Sequence, residues 1–176
     1  MRNALHLSLL TAVCSVIAVP SSFAQKADVK AEALRDWSDM KTTMVKISNE
    51  MPEDKFGYKS TPAQRNYGEQ ILHVATANVG FLQGLGGKAP TPTVNAKATA
   101  KAEILKALAD SFDYGTALIN EQTPETMLQT VQARFLGSST RSRIFYFLVG
   151  HAWDIYGQMA VYLRLNGLVP PASQRP

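Results

Sequence analysis

Residues 144–163 have the sequence IFYFLVGHAWDIYGQMAVYL, an apolar stretch in which Asp154 is the only carboxylate. Helical spacings of three and four place four polar residues on one stripe of this segment: His151, Asp154, Gln158 and Tyr162. Polar side chains that point into a packed interior cost free energy unless something satisfies them. We therefore expect the stripe to be buried, as either a hydrogen-bonded network or part of a site.

The rest of the chain also shows a helical period. Apolar residues recur at steps of three and four, bounded by proline or glycine, and they predict long helices at residues 27–51, 64–85, 97–122 and 140–166. Residues 124–139 fit no single period, so we expect a connection there that is part helix and part extended. No segment shows a convincing strand period. The pattern predicts an all-α protein, a four-helix bundle formed by a single domain at residues 25–176.

Small residues mark two places where packing should be unusual. The second helix presents Thr76, Ala77, Gly80 and Gly84 on the face around His73, so a neighbouring helix or a cavity can come close there. In the last helix, Gly150 and Gly157 each cost about 1 kcal/mol relative to alanine. We expect a close helix–helix approach at these two glycines and a buried Trp153 between them.

The first residues have the pattern of a secretory signal peptide. Arg2 is followed by an apolar run at residues 4–19 and by Ser22-Phe23-Ala24, which places small residues before a cleavage point at Gln25. An uncleaved anchor is disfavoured because the run is short and ends at a proline. We predict a signal peptide at residues 1–24 and a periplasmic or secreted protein.

The export prediction has a direct test. If residues 1–24 are removed, protein recovered from the native host begins at Gln25. N-terminal sequencing of periplasmic and extracellular fractions measures this. A chain that keeps Met1 and sediments with membranes would contradict it.

Composition excludes several classes of function. Cleavage removes Cys14, the only cysteine, so the mature chain has no disulfide, thiolate ligand or cysteine nucleophile. It keeps seventeen basic residues (18 less Arg2) against 14 acidic ones, scattered without a basic patch, so nucleic-acid binding is not expected. The polar residues of the last helix argue against stable membrane insertion. No Gly-x-Ser-x-Gly elbow or phosphate-binding loop is present in the sequence.

Two segments resemble a known family. YGEQILHVATANVGFLQGL at residues 67–85 and RSRIFYFLVGHAWDIYGQMAVYLRLNGLVPP at residues 141–171 resemble the DinB-like superfamily, four-helix-bundle proteins treated as metalloenzymes. The most specific part is the ending, YGQMAVYLRLNGLVPPAS at residues 156–173, which is typical of exported bacterial members. The resemblance extends over essentially the whole mature chain.

The resemblance implies a divalent metal site. Members commonly use one histidine on helix two and a His-x-x-x-His pair on the last helix. The matching positions here are His73, His151 and Ile155, and isoleucine cannot ligate a metal. Either the site is degenerate or Asp154 substitutes from the neighbouring position. Two imidazoles and a carboxylate suit zinc, nickel, iron or manganese.

The resemblance leaves two hypotheses of function. In the first, the protein is a metal-dependent enzyme, a hydrolase or a thiol-dependent transferase, whose small-molecule substrate Gln158 or Tyr162 positions. In the second, it is a non-catalytic binding or stress-related module that lost the metal site, and His151 and Asp154 form a buried hydrogen bond. The sequence leaves open the catalytic residues, the substrate and a homodimer.

Overall fold

Four long helices and a small β-hairpin make up residues 28–174, the part of the chain that the computed structural model describes. The predicted signal peptide lies outside these residues. In chain order the elements are α1 Val29–Glu50, α2 Tyr67–Leu82, α3 Lys101–Asn120, α4 Pro124–Met127, β1 Thr130–Ala133, β2 Gly137–Thr140 and α5 Arg141–Leu165. The protein is thus mostly helical, as predicted. Each long helix begins and ends within four residues of its predicted boundary.

The four long helices form a ring in which each has two main neighbours. Helix α2 packs against α3 and α5, and α1 packs against the same two helices from the other side. Helices α2 and α5, which contain the two candidate histidines, are therefore direct neighbours. This arrangement is what places distant parts of the sequence in one site.

Local capping signals explain where the helices begin. The Asp28 side chain accepts hydrogen bonds from the backbone N–H groups of Lys30 and Ala31 at the start of α1. Asn66 and Glu69 form a capping box at the start of α2. At each of these ends, side-chain oxygens accept hydrogen bonds from backbone N–H groups that have no partner within the helix.

A β-hairpin connects α4 to α5, and the sequence analysis did not predict its strands. Strands β1 and β2 pair antiparallel, with Ala133 opposite Gly137. Each strand has four residues, too few to show a period of two. At the hairpin tip, Phe135 has φ 67°, a left-handed conformation that is unusual for a bulky residue, and 81% of its surface is exposed.

Trp37 of α1 is at the centre of the core. It is fully buried, its Nε1–H donates to the backbone oxygen of Phe112 at 2.8 Å, and its ring contacts those of Phe112 and Phe145. The Trp37 ring lies directly against Gly115 of α3: a Cβ added to this glycine would lie 2.3 Å from Trp37 Cζ2. The absence of a side chain at Gly115 is therefore what lets α1 and α3 pack this closely.

The methionines of the described residues all lie in the core. Each has 1% or less of its surface exposed: Met40, Met44, Met51, Met127 and Met159. Unbranched thioether side chains adapt to irregular spaces between helices. They therefore fill much of the space between α1 and its neighbours.

The outward side of α5 differs from the sequence-based prediction. Trp153 is 51% exposed, and a Cβ added to Gly150 or Gly157 would have no neighbour within 4 Å. The expectations of a buried tryptophan and of close packing at the two glycines are wrong, because this side of α5 faces solvent. Within residues 28–174, none of the helices has both the length and the apolarity that a membrane crossing needs.

Candidate functional site

His73 of α2 and His151 of α5 meet between their helices. Their Nε2 atoms lie 3.0 Å apart, and the ring centroids are 4.8 Å apart with the planes at 68°. The two residues are separated by 78 positions in sequence, so only the packing of α2 on α5 brings them together. The structure thus assembles two of the three predicted site residues.

The environment keeps both imidazoles neutral at physiological pH. Burial, with smaller contributions from the nearby Arg65 cation and from His151, lowers the pKa of His73 to about 4, although Asp154 acts in the opposite direction. Burial also lowers the pKa of His151, where Asp154 acts against burial and Arg65 acts with it. Neutral imidazole is the form that can bind a metal ion or accept a proton.

The contact between the two histidines leaves one ring nitrogen without a partner. His151 Nδ1 is buried, and no described residue forms a hydrogen bond with it. Buried N–H groups without an acceptor are rarer in native proteins than buried acceptors without a donor. This favours the tautomer in which His151 donates its Nε2–H to His73 and leaves Nδ1 unprotonated.

Asp154 does not lie where the sequence analysis placed it. It is exposed rather than buried, and its Oδ2 accepts a hydrogen bond from Gln158 Nε2 at 3.2 Å. Gln158 Oε1 in turn accepts from Gln70 Nε2 of α2 at 2.8 Å. Within residues 28–174, no three or more His, Cys, Asp or Glu side chains form a group that could hold a metal ion. The expectation of a buried Asp154 is therefore wrong.

Asp154 is exposed because the face of α5 that contacts α2 includes Ile155 in its place, a shift of one residue from the predicted face. This helix contacts α2 through His151, Gln158 and Tyr162, whose hydroxyl donates to the backbone oxygen of Arg65 at 2.8 Å. Ile155, with 2% of its surface exposed, lies among these positions at steps of four, three and four. Its neighbour Asp154 points to the side of this contact face, towards solvent. The position that differs from the family pattern thus belongs to the core.

Two cavities border His73 along α2. One has a volume of about 410 Å³ and is lined by Arg65, Glu69, Leu72, His73, Thr76 and Ala96. The other has a volume of about 210 Å³ and is lined by His73, Thr76, Ala77, Gly80, Phe81, Arg134 and Phe135. A Cβ added to Gly80 would meet nothing within 4 Å. The small-residue face of α2 therefore borders a cavity, one of its two expected environments.

Sequence analysis missed the two arginines that line these cavities. Arg65 directly precedes the Asn66 cap of α2, and that position was the one available signal that its side chain would lie near the start of the helix. Arg134 is in the hairpin tip, which had no recognisable pattern. Neither residue belongs to a motif, and only the fold brings them beside His73.

Two nitrogen atoms of the site are placed to bind one divalent cation. Two nitrogens bound to one zinc ion at about 2.0–2.1 Å each lie about 3.0–3.4 Å apart, and the Nε2 atoms here are 3.0 Å apart. Asp154 is the only carboxylate on α5 and thus the helix's one further donor of the kind that metal sites use. Binding through both Nε2 atoms would move the His151 proton to Nδ1, where a buried N–H lacks an acceptor and costs about 1–3 kcal/mol. The donor set therefore fits a site of modest affinity.

Comparisons with known proteins agree on the fold. The family model of the DinB superfamily matches residues 36–159. A DinB-like protein from Bacillus cereus has a TM-score of 0.66 at 19% identity, over 80% of this chain and 95% of its own. One from Bacillus subtilis has a TM-score of 0.61 at 14% identity, over 82% and 99%. No curated protein matches the sequence. At these identities the solved structures show a common fold.

Proposed function

The chain belongs to the DinB superfamily, and we propose that it is an exported metal-dependent enzyme acting on a small molecule, as a hydrolase or a thiol-dependent transferase. Its site is built from His73 and His151, and the exposed Asp154 side chain would have to rearrange to become the third donor, since it forms no metal-binding group with them among the described residues. The ion is zinc, nickel, iron or manganese. The observation that supports this most directly is the 3.0 Å separation of two neutral imidazole nitrogens beside open cavities.

Some polar atoms around the histidine pair have no hydrogen-bond partner within residues 28–174, as expected where a ligand binds. Buried polar atoms in native proteins are almost always paired, and an unpaired one calls for an explanation. Here His151 Nδ1 and Gln70 Oε1 are both buried without a partner among the described residues. Both atoms are therefore available to a bound ligand, although Ser48 Oγ, Asn78 Oδ1 and Arg141 Nε are also buried without a partner elsewhere in the described residues.

The residues of the site have separate roles in this proposal. His73 and His151 present nitrogen lone pairs, and packing between α2 and α5 holds their rings. Gln158, fixed by Gln70, holds the Asp154 carboxylate on the helix turn next to His151. A bound divalent cation supplies Lewis acidity toward a water or a thiol nucleophile. The cavities beside His73 give a small substrate access to the pair.

Metal binding tests the proposal. Untagged protein freed of metal should bind one zinc ion per chain when titrated by calorimetry at neutral pH. Saturating zinc should raise the melting temperature, since a ligand at 100 times its Kd adds about 2.7 kcal/mol of stability. His73→Ala and His151→Ala should abolish both effects, and Asp154→Ala should weaken binding by about tenfold, near 1.4 kcal/mol.

Asp36→Ala is the matched control, because it removes an exposed carboxylate from α1. It should bind zinc like the wild type. Variants that melt cooperatively without metal show that the fold is intact. A wild-type protein that binds no metal, or that binds it equally well without either histidine, would contradict the proposal and favour the non-catalytic module.

A further inference from the structure

The two cavities beside His73 are lined by two arginines that form no ion pair within residues 28–174. Arg65 lines the larger cavity and Arg134 the smaller one. Among the described residues, neither guanidinium forms an ion pair or a side-chain hydrogen bond. Glu69, the one carboxylate in either lining, already accepts from the backbone N–H of Asn66 at 2.7 Å and pairs with Lys59 at 3.7 Å. The groove over α2 therefore has excess positive charge.

The fold restrains the backbone of Arg65 and the side chain of Arg134. The backbone of Arg65 is fixed by the Tyr162 hydroxyl and by the Asn66 cap that follows it. Arg134 lies over the Phe135 ring, with its Cζ 5.0 Å from the ring centroid. The ordering cost of binding an anion is lower when the cation is already positioned.

The smaller cavity is apolar on the side next to the hairpin. Phe135 contacts Phe81 of α2, with ring centroids 6.0 Å apart, and Phe81 contacts Phe147 of α5 at 5.1 Å. Phe135 remains 81% exposed in a left-handed conformation that is strained for a bulky side chain. Strained residues of this kind cluster at functional sites. An aromatic ring held over a cavity suits an apolar ligand.

We propose that this groove binds a small organic anion, with its apolar body under Phe135 and its oxyanion group on Arg65 or Arg134, and that His73 contacts the bound molecule from between the two cavities. The inference rests on the proposed function in taking the groove as the substrate site, and it names the substrate class. Guanidinium groups bind carboxylate, sulfonate and phosphate oxygens through charge-assisted hydrogen bonds. The cavity of about 210 Å³ accommodates a ring-sized body.

The test uses a matched pair of fluorescent probes, 2-naphthoate and its uncharged analogue 2-naphthamide. Fluorescence anisotropy of each probe is followed while metal-free protein is added, and again with zinc-loaded protein. Naphthoate should bind at least tenfold more tightly than naphthamide. Substitution of the arginine that holds the oxyanion, Arg65→Gln or Arg134→Gln, should reduce this preference by about fivefold or more, without changing naphthamide binding. Phe135→Gly, which also relieves the left-handed strain, should weaken both probes.

Arg35→Gln is the matched control, since it removes an exposed arginine from α1, which packs against α3 and α5. It should leave both probes unchanged. Equal binding of the two probes, or arginine variants that behave like Arg35→Gln, would overturn the inference. Arginine-dependent binding by a protein that takes up no zinc would uphold it while the metal proposal fails. Zinc uptake without selective naphthoate binding would contradict this inference and leave the metal proposal standing.

Discussion

Gly115→Ala is expected to lower the free energy of unfolding by about 3 kcal/mol or more, at the upper end for overpacked cores. The added methyl group would lie 2.3 Å from Trp37 Cζ2, 2.5 Å from Cε2 and 2.7 Å from Nε1. The Trp37 ring cannot move aside, because Phe112 and Phe145 pack against it and its N–H is bonded to the Phe112 carbonyl. The clash must therefore separate α1 from α3.

Chemical denaturation followed by circular dichroism measures this change, and Gly150→Ala is the control. The same substitution at Gly150 meets nothing within 4 Å. It should raise the free energy of unfolding by about 0.5–1 kcal/mol, since alanine is favoured over glycine in a helix. Equal effects of the two substitutions would show that helix propensity, rather than the Trp37 contact, governs Gly115.

Ile155→His should turn the modest site into a strong one, at a cost to the metal-free protein. The residue is 2% exposed and lies on the contact face of α5 that includes His151. An imidazole in place of this isoleucine buries a polar ring in the core and should cost about 2–4 kcal/mol without metal. With zinc, three neutral imidazoles share the ion. The melting temperature should then fall in chelator and recover when zinc is added.

Calorimetry and melting curves of this variant, with and without zinc, check the prediction. Met159→His is the matched control, because Met159 is also fully buried on α5 but lies two turns from His151. It should show the loss of stability without the rescue. An Ile155→His protein that binds zinc no better than the wild type would mean that position 155 does not point at the histidine pair.

The apolar period was sufficient to predict the four long helices, and the family resemblance placed His73 and His151 in one site, but neither determined the exact contact face of α5. Proline, glycine and capping residues mark the helix ends, and the apolar period marks the buried faces. Asp154 and Ile155 are adjacent positions near the same face. Either completes a helical spacing with His151, Gln158 and Tyr162. The prediction of a polar stripe favoured Asp154 as the inward residue. The structure buries Ile155 instead, since solvent and Gln158 satisfy the carboxylate. Packing between helices decides such a one-residue shift.

Other features depended on contacts that no local pattern encodes. Gly150, Trp153 and Gly157 lie on one side of the last helix. Glycine and tryptophan occur on both buried and exposed helix faces, so these residues do not indicate which face this is. Only the position of α1 and α2 around α5 shows that this side is open. Arg134 reaches the site through a hairpin whose strands are four residues each. Such short strands leave no readable period.

The buried methionines also determine how the protein responds to oxidants. Residues 28–174 contain no cysteine, and their five methionines each have 1% or less of their surface exposed. Peroxide converts accessible methionine to the sulfoxide, a polar group that a packed core does not accommodate. In the folded bundle the thioethers are shielded, so sulfoxide forms when the helices separate. The amount of methionine sulfoxide formed at these five residues therefore reports how often the core opens.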